Sequence, residues 1–273
     1  VVRGAQAAAA AVGARLVLRT TGYSVVEAQR QVAELVDSGV AGLMVTAETG
    51  GRQGEDLVRR LGDLAVPVVL VERTVPASLP VQELEWAATD HEHGAGLAVR
   101  HLAALGHTRV GLLATTESPT THAVRDGWRE ALDDLGVDPA GRVEARAPLM
   151  GDAGWREDLD DALERCRRTG TTALLVHSDH QAATLVQHAR QRGVRIPEDL
   201  ALVTYDDEVA AAVDPPLTAV SPPKDQLGRT AVELLTARLR QGRERPVHRV
   251  RLLPHLVVRD SCGAGGGGPG DRS

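Results

Sequence analysis

The sequence predicts an α/β protein made of two doubly wound, parallel-sheet lobes. Two observations carry that expectation. Short runs such as VAGLMV (40–45), VPVVLV (66–71), RVGLLA (109–114), TALLVH (172–177) and LALVT (200–204) are apolar throughout rather than alternating, and helix-patterned segments separate them. A strand that is apolar on both faces must be covered on both faces, which is the condition of a parallel sheet flanked by helices and joined by right-handed crossovers. There are also more such runs than one sheet comfortably holds in 273 residues, so two lobes are expected.

Taken in order, residues 15–19 (RLVLR) read as a strand. Ser24 and Glu27 have the spacing of a capping box, Ala28, Val32, Leu35 and Val36 share one helical face, and Gly39 supplies the stop. A strand at 40–45, a short helix at 56–64 and a strand at 66–71 follow. Asp90 caps a helix ended by Gly106, the strand 109–114 comes next, and helices are expected from about Ala123 to Leu135 and over 155–168. The strand 172–177 leads into a helix ending near Gly193, then the strand 200–204. Pro222 and Pro223 suit the first turn of a long helix closing near Gly242, and 250–258 is a last extended segment. The tail 263–273 (GAGGGGPGDRS) has nothing to bury and is expected to be disordered.

Composition narrows the function. Hydrophobic residues make up 42% and charged residues 25%, but aromatics only 2%, with no Phe, so the core rests on Leu, Val and Ala. The net charge of −6 argues against the chain as a whole gripping nucleic acid, where affinity rests on cations at phosphates. Cys166 and Cys262 lie in no metal-type spacing and read as reduced thiols. No run is long enough to span a membrane and no secretory leader is visible, so a cytoplasmic protein without membrane contact is expected. No phosphate-cradling glycine loop and no G-x-S-x-G elbow occurs, the histidines do not cluster, and acidic pairs such as Asp133-Asp134 are surface charge. No cofactor is indicated, and no nucleophile–base constellation can be assembled for an enzyme.

Several segments, in order, resemble the LacI/GalR family of bacterial transcription regulators: SGVAGLMV (38–45), VPVVLVER (66–73), HLAALGHTRVGLL (101–113), VRIPEDLALVTYDDE (194–208), DPPLTAVSPPKDQLGRTAVELL (214–235) and LLPHLVVRDS (252–261). Each also has a local physical reading. Gly106-His107 is a left-handed cap followed by a polar residue, IPEDL is a rigid turn into a buried strand, and DPPLT holds extended backbone. The resemblance implies the type I periplasmic-binding-protein-like fold, with three crossovers near 88–90, 220–221 and 251–252. One lobe would be 1–88 plus 221–251, the other 89–220 plus 252–262. It implies a small-molecule effector, a sugar above all, a homodimer, and operator DNA as partner through an N-terminal helix-turn-helix outside these residues. Residues 1–18 resemble the first helix and second strand of lobe one, so the sequence is expected to be a piece of a longer protein that also carries a first strand. The alternative is a solute-binding protein of a sugar uptake system, with the same fold; IPEDL and PPLT favour the regulator.

Ligands of open α/β sheets sit beyond the carboxyl ends of strands. Asp179 follows TALLVH directly, and HSDHQAATL (177–185) resembles the family's effector motif with Ser178 in place of an asparagine. Asp179 can accept two sugar hydroxyls, or simply cap the next helix. THAVRDGW (121–128) resembles the stretch that carries the family's sugar-gripping arginine. Here Arg125 stands one residue later and Val124 fills the usual place, a rotation of about 100° on a helix. Arg125 is therefore either a ligand residue or a solvated arginine, with His122 and Thr121 as alternates on the same turn. Arg73 ends its strand at the expected cleft edge, for ligand or for an inter-lobe ion pair. Lys224 follows the second crossover, as ligand residue or surface charge at a helix start. Leu149 stands where the family often has an aromatic platform, which removes ring stacking there. Asp206 and Asp207 are read as turn or capping residues, Trp128 and Trp155 as packing, and Trp86 as hinge packing or cleft lining.

Overall fold

The computed structural model describes residues 1–22, 24–115 and 119–264. These divide into two compact units, one formed by Val1–Thr89 and Pro223–Leu252, the other by Asp90–Pro222 and the chain from Leu253 onward. The expected disordered tail lies almost wholly outside the described residues.

The first unit carries α1 (Val2–Ala11), α2 (Val25–Asp37), β1 (Leu43–Val45), α3 (Gly51–Gly62), β2 (Val68–Val71) and β3 (Glu85–Thr89). After the chain returns, α8 (Lys224–Gln241) and β9 (Arg249–Leu252) complete it. Its four strands are parallel, in the order β1-β2-β3-β9. Successive side chains on a strand point to opposite faces, and the packing follows that period. Leu43, Val45, Leu70, Trp86 and Ala88 join Leu57, Val58 and Leu61 of α3 and Ala28 of α2 on one face. Val69, Val71 and Ala87 join Leu227, Ala231 and Leu234 of α8 on the other. Trp86 is thus a core residue. Ser24 caps α2 by accepting from the Glu27 N–H at 3.2 Å, but the Glu27 carboxylate turns to Arg30 and Gln31, so only half of the expected capping box forms. Residues 15–19 are not a strand. Leu16 packs near α1, Leu18 is exposed, and the segment joins no ladder among the described residues; an apolar run becomes a strand only where a neighbour supplies hydrogen bonds.

The second unit carries α4 (His91–Ala104), β4 (Val110–Ala114), α5 (Pro119–Asp134), β5 (Glu144–Arg146), α6 (Trp155–Thr169), β6 (Ala173–His177), α7 (Asp179–Gln191), β7 (Ala201–Tyr205), β8 (Thr218–Ser221) and β10 (His255–Val257). The sheet order is β10-β8-β7-β6-β4-β5, parallel except for the antiparallel edge strand β10. The extended segment expected at 250–258 is therefore two strands, one in each unit, divided at Leu253-Pro254, where the proline has no N–H to give a ladder. Helices α4 and α5 cover one face through Val99, Leu102, Val124, Trp128 and Leu132, and α6 and α7 the other through Trp155, Leu159, Ala162, Leu185 and Val186. Trp128 and Trp155 are the packing residues expected. Asp90 caps α4 by accepting from the His93 N–H at 3.0 Å.

The α4–α5 contact depends on Gly127. A Cβ there would lie 2.1 Å from the backbone oxygen of Glu92 and 2.6 Å from its Cα. Alanine in a helix interior ordinarily gains about 1 kcal/mol over glycine, but overpacking against backbone costs about 1–3 kcal/mol. Gly127→Ala is expected to lower the urea midpoint of unfolding despite its better helix propensity; an unchanged or raised midpoint would show that the two helices separate without cost.

Candidate functional site

In the second unit the chain leaves β4 toward β5 on one side, then returns across it to β6 on the other. Helix α5 lies on one face of the sheet and α7 on the opposite face. The carboxyl ends of β4 and β6 therefore form a topological switch point, where departing chains diverge and open a crevice. Ala114 and His177 are register partners at the tops of these strands, so Thr115 and Ser178 follow side by side.

Asp179, the first residue of α7, is wholly buried. Its Oδ2 accepts from the Glu208 N–H at 2.5 Å and the Val209 N–H at 2.7 Å, fastening the loop after β7. Its Oδ1 is buried with no hydrogen-bond partner. It is not the helix cap. Ser178 holds that position, and Gln181 Oε1 accepts from the Ser178 N–H at 3.0 Å and from its Oγ at 2.8 Å. The S-x-x-Q spacing carried this signal and the sequence reading passed over it.

Thr121 is buried in the first turns of α5. Its hydroxyl lies 3.0 Å from Thr115 Oγ1 and 3.3 Å from His177 Nδ1. The His177 ring packs edge-on against Tyr205, whose hydroxyl is 3.0 Å from His91 Nδ1. Thr115 and His177 escaped the sequence reading, since their meeting depends on the register between β4 and β6.

Arg125 is engaged elsewhere. Its Nε donates to Glu144 Oε1 on β5, while Arg129 donates to Glu144 Oε2 at 2.8 Å. Val124, one residue earlier, is fully buried in the core, so the helix is rotated to bury Val124 and direct Arg125 toward the edge strand. His122 is exposed beside it, with Nδ1 3.5 Å from an Arg125 nitrogen. Leu149 is 43% exposed in the turn after β5. Asp207 pairs with Arg259 at 2.7 Å and both Asp206 and Asp207 have positive φ, a turn role.

In the first unit Arg73 follows β2 and the left-handed Glu72 (φ 55°). Glu72 accepts from the Thr89 N–H and hydroxyl at 3.0 and 2.8 Å, clasping the end of β3. Arg73 Nη1 donates to the Glu72 carbonyl at 2.6 Å, while its Nε is buried without a partner. Lys224 opens α8, half-buried. A cavity of about 320 Å³ lined by Leu61, Val66, Leu84, Glu85 and Arg238 opens instead at the amino ends of β2 and β3. Its charged wall is spent internally: buried Glu85 is paired to Arg238 and Arg245 and accepts from the His248 N–H at 3.0 Å. The unpartnered Arg73 Nε lies at the other, carboxyl end of β2.

A parallel sheet with an open switch point and unspent polar atoms at its strand ends is the architecture of a small-molecule-binding module. The family model for the periplasmic binding protein-like domain matches residues 99–262. The chain is 32% identical over 87% of its length to the HTH-type transcriptional regulator reg1 of Streptomyces lividans, covering 68% of that protein. It is 28% identical over 96% of its length to the arabinose metabolism transcriptional repressor of Geobacillus stearothermophilus, covering 72%. The solved transcriptional regulator CelR–cellobiose complex superposes with a TM-score of 0.79 at 28% identity, over 95% of this chain and 77% of that one. The chain belongs to the LacI/GalR family of transcriptional regulators, as its periplasmic-binding-protein-like effector domain.

The Glu144 cluster gives a pH test. Burial pushes the Glu144 carboxyl up, but hydrogen bonds and charge from Arg125 and Arg129 outweigh it and hold the group below the usual glutamate range. A depressed carboxyl contributes stability above its unfolded pKa of about 4.3 and loses it as pH falls through the folded value. Glu144→Gln is expected to lower the melting temperature at pH 7, with the gap to the native protein closing below about pH 4. A gap that persists there would locate the effect in packing rather than charge.

Proposed function

We propose that this domain senses a sugar and, with a helix-turn-helix segment outside these residues, represses genes of sugar metabolism from the cytoplasm as a homodimer, without catalysing a reaction. One observation carries the reading. Buried side-chain atoms in proteins almost always find a partner, yet here an acceptor, Asp179 Oδ1, and a donor, Arg73 Nε, are left without one, each directly beyond the carboxyl end of a parallel strand. A sugar hydroxyl both donates and accepts, so it suits both atoms. Ser178 directly precedes Asp179, Thr121 meets His177 at the end of the same strand, and Lys224 adds a cation to the unit that carries Arg73. Arg125, paired to Glu144, is assigned to the frame rather than to the ligand. The arabinose repressor and the cellobiose complex among the relatives support a sugar, and the regulators among them support gene control over solute uptake. The ligand acts by population shift, favouring the conformations that present these atoms to it.

The test is a thermal-shift panel of cellobiose, maltose, arabinose, ribose and glucose. A sugar that binds the folded state raises the melting temperature by mass action. Asp179→Asn leaves an oxygen to hold the Glu208 and Val209 N–H groups but puts a donor where Oδ1 was, so it is expected to keep the fold and weaken the sugar by about ten- to a hundredfold. Full stabilisation of Asp179→Asn would overturn the site, and no stabilisation of the native protein by any member would overturn the sugar.

A further inference from the structure

We infer that Thr115 is a ligand-contacting residue on the β4 side of the crevice, and that Thr121 and His177 are positioning residues that fix its hydroxyl. This rests on the sugar-sensing reading above and names the second arm of that site.

The register places it. Beyond the Ala114–His177 pair the next residues are Thr115 and Ser178, on strands about 4.8 Å apart. Asp179 follows Ser178, so the half-buried Thr115 hydroxyl stands on the strand adjoining the one that leads to the unpartnered Asp179 Oδ1. The two differ in what they offer. An ionised carboxylate only accepts, whereas a hydroxyl also donates. A sugar hydroxyl that donates to Asp179 Oδ1 keeps its own lone pairs free, and a neighbouring protein hydroxyl is what can fill them.

A lone threonine at a strand end would rotate freely and lose that advantage on binding. Thr115 is not alone. Its Oγ1 is 3.0 Å from Thr121 Oγ1, and Thr121 is 3.3 Å from His177 Nδ1. Thr121 is 0% and His177 6% exposed, so only Thr115 of the three reaches toward solvent. The His177 ring is itself held edge-on by Tyr205, with ring centroids 5.7 Å apart. The row runs from buried Thr121 and His177 outward to half-buried Thr115. It occupies the β4 side of the crevice, which Arg125 has left for Glu144.

The test uses the same sugar panel, titrated to give an apparent Kd for whichever sugar stabilises the native chain. Thr115→Val keeps the shape and removes the hydroxyl. It is expected to melt like the native protein without sugar and to bind the sugar about tenfold more weakly. His177→Ala should weaken binding to a similar extent, and His177→Asn, which restores a polar atom at the δ position, should recover most of it. A merely structural His177 would show the same sugar affinity in both variants once corrected for their own melting temperatures. If Asp179→Asn loses the sugar while Thr115→Val binds as tightly as the native chain, the sugar reading stands and this inference falls. If no sugar stabilises the native chain, the sugar reading fails and this inference fails with it.

Discussion

A parallel sheet buried on both faces leaves few polar positions along its inner strands, and that constraint organises this molecule. Leu112, Leu175 and Val203 are wholly buried against α4 and α5, and Leu174 and Leu202 against α6 and α7. Polar chemistry is driven to where the strands stop. At the carboxyl ends stand Thr115, His177, Ser178, Asp179, Asp206 and Asp207 in one unit, and Glu72 and Arg73 in the other. Three of these, Glu72, Asp206 and Asp207, hold left-handed backbone without being glycine. Such strain persists only where surrounding contacts over-determine it, here the Glu72 clasp on Thr89 and the Asp207–Arg259 pair.

Buried side-chain atoms without a partner also occur at Gln31, Arg142 and His188, but those residues lie within helices or ahead of β5, whereas Asp179 and Arg73 stand just past the carboxyl ends of strands, where other buried polar groups nearby are matched. Ser261 Oγ accepts from the Thr218 N–H at 2.9 Å and donates to the Leu202 carbonyl at 2.7 Å, while Thr218 Oγ1 accepts from the Arg259 N–H and donates to its carbonyl. Buried Glu85 is matched by two arginines and a backbone N–H. Against that background one Asp179 oxygen with two donors and another with none is a division of labour within a single carboxylate: half fastens the loop after β7, and half is held by no protein donor.

Most of the frame was legible because its causes are local. An unbroken apolar run, a serine or aspartate before a helical stripe, and a glycine after it (Gly39 at φ 80°, Gly106 at φ 96°) act over a few residues, and α2, α4, β2, β4, β6 and β7 lie where those signals put them. What failed depended on partners distant in sequence. Residues 15–19 have the composition of a strand but no ladder. Conversely β5 (Glu144–Arg146) is a strand of polar residues that composition hides, held at the sheet edge by its pairing with β4. The site divides the same way. Asp179 was visible from its place after a buried run. Arg125 was visible as a residue but not as Glu144's partner, because that pairing needs β5. Thr115 and His177 were invisible until the β4–β6 register brought both within reach of Thr121.

The unsatisfied atoms also have an energetic consequence. A buried acceptor without a donor costs about 1–3 kcal/mol, so a ligand group that donates to Asp179 Oδ1, or accepts from Arg73 Nε, offsets a cost that the protein's own side chains do not. Replacing either by an apolar residue would remove the penalty and the contact together. Under the sugar-sensing reading a sugar hydroxyl that donates to Asp179 Oδ1, or accepts from Arg73 Nε, supplies the missing partner, and that gain counts toward affinity only in a conformation that presents the atom to it. A ligand shifts a conformational equilibrium by no more than its difference in affinity for the two states. A buried atom that its own unit leaves without a partner is a direct source of that difference.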